Sequence, residues 1–274
     1  MIGRELERAV LYGLLLLGLV LTLAPLLWMV SASLMPAGEA SIYPPRLWPS
    51  RPTFEHYAAL FARLHLARYF LNSFLIASAI TAISLLVNSM AGYAFAKLRF
   101  RGADRIFRLL LSALVIPAQV AMLPLFLMLK QLGLINSWWG VIVPGMASIF
   151  GIFLIRQYAL SIPDSLLEAA RIDGAGEFRI YTLVVLPICR PILVTLAIFT
   201  FMGAWNDFMW PLIVLTDERM YTLPVALANL LGEHVQDTEL MMAGSVLTIL
   251  PVLLLFTFVQ RAYIEGITAG SLKD

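Results

Sequence analysis

Between Pro163 and Gly174 the chain sets Asp164, Glu168, Arg171 and Asp173 among small and aliphatic residues, a composition suited to docking a partner rather than to breaking bonds. Pro163 fits a first helical turn, where its missing N–H would have no partner in any case. Asp164 and Glu168 put negative charge near the positive end of that helix, and Gly174 is a natural stop. A short helix of about ten residues, Pro163 to Asp173, is therefore predicted, and at spacing i, i+3 Glu168 and Arg171 are expected to pair along one side. Leu166, Leu167 and Ala170 give it an apolar face, while Ala169, Ala170, Gly174 and Ala175 are small enough to admit another surface closely. A second short helix is expected from Glu177 to Leu186, ended by Pro187 and Pro191.

The other chemistry-bearing residues are few. Asp207 is the one acid inside a long apolar block, and intramembrane ionisable groups are costly enough to count as functional candidates. Its distance from Pro191 corresponds to about 24 Å of helix, which puts it near the outer interface. With Trp205 and Trp210 beside it, as in an interfacial aromatic belt, a structural or gate-lining role is expected in preference to proton coupling. Cys189 is the only cysteine, so neither an internal disulfide nor a cysteine metal site is available. His56, His65 and His234 lack ligand spacing and read as ordinary loop residues. No paired acids or nucleophile constellation lies in the apolar blocks, so no catalytic or metal-binding residue is assigned. The phosphate-cradling GxxxxGK[ST] signature is absent, so ATP hydrolysis is not expected of this chain.

The elements that must position these residues are membrane helices. Of 274 residues, 61% are hydrophobic and 13% charged, against roughly 25% charged in an average soluble chain. No charge occurs between Arg8 and Glu39, Arg68 and Lys97, Arg108 and Lys130, Lys130 and Arg156, or Glu239 and Arg261. Each gap holds the ~20 apolar residues of a span, and Pro191 to Leu215 supplies a sixth. The expected fold is all-α and integral to the membrane, one domain over residues 1–274. The non-alternating runs argue against a barrel. Residues 9–34 exceed the apolar core of a signal peptide and are expected to stay as the first span. Lys and Arg divide between the two sets of loops as 13 and 6, so the basic set, with both termini, is expected to be cytoplasmic. Topology thus accounts for the small net charge of +2, and nucleic acid is not an expected partner. The outer segment from Met35 to Arg68 carries Pro44, Pro45, Pro49 and Pro52, with a short surface helix predicted within residues 54–67.

The stretch Glu168-Ala169-Ala170, three residues, Gly174, then Val184 and Leu186-Pro187 at fixed distance resembles the EAA loop of binding-protein-dependent ABC importer permeases. Asn72-Ser73, Ala91 to Ala94, Trp205 to Phe208, Trp210 to Leu212 and Gly266 to Ser271 extend the resemblance to the carbohydrate-type branch, close to the smaller permease of maltose-type transporters. That branch also contains permeases for glycerol phosphate and sugar alcohols. Val184 departs from the usual isoleucine.

The resemblance implies six spans with a cytoplasmic coupling helix between the fourth and fifth. Glu168, Ala169, Ala170, Asp173 and Gly174 would contact a separate ATPase chain, which would bind the ATP and magnesium. Implied partners are a second homologous permease in a heterodimer, two ATPase subunits, and an extracellular or periplasmic solute-binding protein touched by Ala228-Asn229-Leu230-Leu231-Gly232. The expected location is a bacterial or archaeal cell (inner) membrane, with lipid as solvent. For the solute pathway, Asn88, Gln119, Trp205 and Asn206 have the stacking and hydrogen-bonding chemistry a sugar or polyol requires. The competing reading is an ion-coupled secondary transporter, which would need buried carboxylates or broken helices at mid-membrane; only Asp207 offers a carboxylate.

Overall fold

A computed structural model describes residues 2–62, 65–233 and 237–271, with side chains placed for residues 7–8, 10–62, 65–229 and 237–257. The helices in order are α1 (Ile2–Ala32), α2 (Glu55–Ala62), α3 (Leu66–Lys97), α4 (Ala103–Ala113), α5 (Ala118–Gln131), α6 (Trp138–Gly145), α7 (Ile149–Leu160) and α8 (Asp164–Ile172). There follow α9 (Glu177–Ile180), a π-helical turn (Tyr181–Val185), α10 (Leu186–Ile188), α11 (Arg190–Trp205), α12 (Met209–Val214), a 3₁₀ turn (Glu218–Met220), α13 (Leu223–Glu233) and α14 (Thr238–Ser271). No strand occurs among the described residues.

Four stretches are long and apolar enough to cross a membrane as they stand: Val10–Ala32, Leu66–Lys97, Trp138–Leu160 and Thr238–Thr257. Two bent pairs, Ala103–Ala113 with Ala118–Gln131 and Glu177–Ile188 with Arg190–Trp205, bring the number to six. The protein is an all-α, multi-pass membrane protein.

The bends correct the sequence reading in three places. The gap after Arg108 is not one straight span, because α4 and α5 meet at 105°. Arg105 and Arg108 make α4 amphipathic and hold it to a polar boundary, and Pro117, with no N–H to donate, precedes the first turn of α5. The block from Pro191 to Leu215 is likewise two helices. Asn206, Asp207 and Phe208 leave the helix, and Asp207 Oδ1 accepts the backbone N–H of Trp210 at 3.4 Å, so the intramembrane acid answers an amide that the break leaves exposed. The second short helix does not stop at Pro187, since the π turn leads into α10, which ends at Ile188, and the 79° bend falls at Cys189.

Residues 1–67 and 227–253 form one compact unit, residues 68–226 and 254–274 another. Within the first, Ala32, Met35 and Ala40 make a small core with Trp28 and Met242. His56 belongs to it as well, contrary to the loop role expected from sequence: it is buried and its Nε2 lies 2.9 Å from the Met35 carbonyl. His65 is exposed, and His234 lies outside the described residues.

The second unit has two cores. One joins Ile76 and Ile80 of α3 to Leu129, Val141, Ile142, Trp210 and Val214. The other joins Tyr93 to Ala159, Ile162, Leu167, Ile180, Tyr181, Val185 and Cys189. Between them α3 and α7 approach so closely that a Cβ on Gly92 would stand 2.7 Å from Ile155. No larger residue fits there without displacing a helix. The break before α7 is satisfied from α3: Asn88 Oδ1 accepts the Ser148 N–H at 3.0 Å, and Ser148 Oγ caps the Gly151 N–H at 2.9 Å.

Candidate functional site

The predicted short helix is α8, with Pro163 at its N-cap and Asp173 at its C-cap. One residue decides its orientation. Leu167 is 1% exposed and joins the core of Tyr93, Ala159 and Ile180, with Ala170 and Ala175 packing alongside. Leu166, assigned to the same apolar face from sequence, turns outward instead. With Leu167 inward, Glu168, Ala169, Asp173 and Gly174 are exposed and Ala170 is half-buried, so the expected contact set forms one accessible stretch.

Polar contacts fasten α8 to the end of α3. Lys97 Nζ donates to Asp164 Oδ1 at 2.7 Å and to the Ile162 carbonyl at 2.6 Å. The Lys97 side chain is only 5% exposed, whereas that of Asp164 is 76% exposed. Lys97 therefore reaches out from the packed side to the first residue of α8. Its hydrogen bond and charge hold the Asp164 carboxyl below the usual carboxylate range. Four residues earlier, Tyr93 Oη donates to Glu177 Oε2 at 2.7 Å. Glu177 Oε1 accepts Arg171 Nε at 2.7 Å.

This last contact corrects the expected Glu168–Arg171 pair. Arg171 is paired with Glu177, six residues on, because the turn at Gly174 brings α9 back beside α8. That hydrogen bond comes first among the causes that raise the Arg171 pKa. Gly174 has φ +82°, the left-handed conformation that favours glycine, with nothing within 4 Å of where a Cβ would lie.

A groove of about 550 Å³ runs beside this lattice, lined by Lys97, Arg99, Asp164, Glu168, Arg171 and Glu177. Both signs of charge face it. On α8 and α9 two apolar residues that the sequence reading passed over are exposed, Ile172 at 85% and Phe178 at 70%. Sequence alone gave no sign of their exposure, because each sits at a position an amphipathic helix could have buried. Tyr93 and Lys97 were missed for another reason: the carboxylates they hold, Glu177 and Asp164, lie 84 and 67 residues away along the chain.

The residues proposed from sequence for a solute pathway have different surroundings. Asn88 is fully buried, its amide committed to Ser84 Oγ at 2.7 Å and to the Ser148 N–H. Trp205 is 1% exposed, stacked on Phe201 at 5.9 Å and edge-on to Phe70 at 5.2 Å. Gln119 and Asn206 are exposed, Asn206 Nδ2 donating back to the Met202 carbonyl. Both buried residues thus hold helices together, and the exposed amides are the two with open surfaces.

Asn72 and Ser73, near the start of α3, hold the segment that leads into α13. Asn72 Nδ2 donates to the carbonyls of Arg219 and Tyr221, each at 2.9 Å, and Ser73 Oγ accepts the Leu223 N–H at 2.7 Å. Residues 228–232 all lie in the helix α13. Ala228 is half-buried and Asn229 exposed, while the side chains of Leu230 and Leu231 and the surroundings of Gly232 lie outside the described residues.

Residues 88–268 match the family described as binding-protein-dependent transport system inner membrane component. Over 252 residues the chain is 40% identical to the arabinooligosaccharides transport system permease protein AraQ of Halalkalibacterium halodurans, covering 91% of this chain and 90% of that protein. It is 33% identical to the lactose transport system permease protein LacG of Rhizobium radiobacter, covering 98% of each. In fold it matches a crystal structure of a bacterial ABC transporter involved in the import of the acidic polysaccharide alginate, with a TM-score of 0.84 over 94% of this chain and 96% of that one, at 24% identity.

Proposed function

The chain belongs to the family of binding-protein-dependent transport system inner membrane components, a non-catalytic transport subunit, and on that premise we propose that it lines the import route of a sugar, an oligosaccharide or a related polyol. The solute class rests on the relatives' named substrates. In this reading a second, homologous permease completes the route and a soluble binding protein delivers the solute. Two separate ATPase subunits bind ATP and magnesium, and one of them docks on α8. The face carrying α8 is cytoplasmic, as are both termini, in keeping with the bias of Lys and Arg toward that set of loops.

The observation that carries the coupling role is the fastening of α8. A helix that exposes Glu168, Ala169, Asp173 and Gly174 while Leu167 is locked in the core and Asp164 is tied to Lys97 cannot shift without pulling on α3. It is a handle on the membrane helices. The ion-coupled alternative is weakened by the same structure, because Asp207 Oδ1 caps α12.

Vesicles containing the purified complex test this. Solute uptake should require internal-face ATP together with the binding protein and should survive ionophores that collapse proton and sodium gradients. Uptake driven by an ion gradient in the absence of ATP would overturn the proposal.

A further inference from the structure

The segment from Ile42 to Arg51 combines a rigid frame with an apolar exterior. Glu39, buried at 5% exposure, is its hub: it accepts Arg46 Nη1 at 2.7 Å, the Ser50 N–H at 3.1 Å and the Ser50 hydroxyl at 3.1 Å. Thr53 N–H donates to the Leu34 carbonyl at 2.9 Å, closing the turn. These bonds tie Arg46 and Ser50 to one buried carboxylate. What faces out is Tyr43 at 93% exposure, Trp48 at 75%, Leu47 at 67% and Ile42 at 48%.

The height of this turn relative to the membrane is fixed by α1. Trp28 Nε1 donates to the Arg46 carbonyl at 3.1 Å, and Ser31 Oγ donates to the Leu47 carbonyl. Trp28 lies four residues inside the end of the Val10–Ala32 span, which is about 6 Å of helix. Residues 46 and 47 therefore fold back alongside the last turn of a membrane-spanning helix and do not project beyond it into water. That depth is the boundary between headgroups and acyl chains. Trp, Tyr and Arg are the residues that favour it, the rings being apolar with a polar tip and the cation reaching phosphate. Trp28, Tyr43 and Trp48, with the exposed Arg51, supply that chemistry.

We propose that the turn from Ile42 to Arg51 is a membrane-interface anchor, seated on the lipid headgroups and upper acyl chains beside the end of α1. It continues the outer surface of that helix, whose residues from Val10 to Leu27 are all exposed on this chain. The anchor fixes the depth and rotation of α1 and gives the loop that follows a stable base. It requires only that α1 crosses the membrane, and is independent of the transported solute and of the ATPase.

The test places a bimane fluorophore on Trp48→Cys and, separately, on Tyr43→Cys in the assembled transporter, reconstituted in nanodiscs of phosphatidylcholine and phosphatidylglycerol. Both side chains are exposed, so substitution leaves the packing intact, and the buried Cys189 makes the unsubstituted complex a labelling control. Nitroxide lipids labelled near the headgroup should quench both positions at least twofold more than lipids labelled at the chain terminus. Three outcomes would overturn the anchor: quenching by aqueous iodide alone, as for a turn in water; protection from every quencher, as under a protein partner; or stronger quenching from the bilayer centre.

Discussion

Lys97, the last residue of α3, and Asp164, the first residue of α8, meet at 2.7 Å, and the same ammonium donates to the Ile162 carbonyl just before α8 begins. A long apolar helix thus ends in a charged hook on the short helix proposed to receive the ATPase. Tyr93 repeats the connection one turn earlier through Glu177, which in turn holds Arg171.

Tyr93→Phe removes one O–H donor and nothing else, so it should lower stability by about 1 kcal/mol. Glu177→Gln weakens two contacts together and should reduce ATPase-driven uptake more than Tyr93→Phe does. Thermal unfolding of the complex and uptake in vesicles measure the two effects. Equal uptake by wild type and Glu177→Gln would remove the network from the coupling route.

The Lys97–Asp164 contact has a definite pH sign. The Asp164 carboxyl is held below its ordinary range in the folded state by the Lys97 hydrogen bond, so its contribution is complete above the unfolded value of about 3.9 and fades as pH falls through the lower folded value. Acid unfolding of Asp164→Asn should lack that part of the pH dependence. The difference from wild type should shrink at high salt, since the carboxylate is 76% exposed. Superimposable acid limbs at low salt would contradict the assignment.

Gly174 permits two effects to be separated. At φ +82° an alanine should cost about 1 kcal/mol in the turn, whereas asparagine tolerates that conformation. Among the described residues no atom lies near the missing Cβ, so the clash is expected from a partner. Gly174→Asp should abolish uptake while the permease still inserts normally. If Gly174→Asn also fails, side-chain bulk at the docking contact is the cause; if it transports fully, the charge is, since Asn and Asp share the same tolerance of that turn. Full transport by Gly174→Asp would mean that the loop is not a contact.

Asn72 and Ser73 clamp the entry to α13 through three hydrogen bonds. Asn72→Asp turns two donors into acceptors facing carbonyls, and Ser73→Ala removes the cap on Leu223. The double variant should retain basal ATPase activity in the complex but lose most stimulation by the binding protein. Replacing residues 228–232 with a Gly/Ser linker should have the same result, and undiminished stimulation would detach α13 from that interaction.

Topology is checked by single cysteines. Those at Gly102 and Gly270 should be shielded from an impermeant thiol reagent in intact cells, while one at Thr53 should label. Labelling of Gly270 from outside would invert the orientation.

The sequence by itself determined the class of protein and the position of its docking helix. Charge-free gaps locate spans because lipid tolerates no unpaired charge, and Pro163, Asp164 and Gly174 delimit α8 because cap chemistry is local: each acts within a turn of where it sits. The tertiary structure decided what depends on distant partners. Nothing near Lys97 in the chain foretells Asp164, and the Glu168–Arg171 spacing pointed to a pair that the turn at Gly174 displaced in favour of Glu177. The breaks at Pro117 and Asn206 were equally out of reach, because apolar composition is indifferent to whether a helix runs straight or bends. A bend is permitted in lipid only where its freed backbone groups find partners. In this chain such partners come from tertiary neighbours, as when Asn88 on α3 receives the Ser148 N–H, or from a cap that acts only once the helix has broken, as Asp207 does for α12.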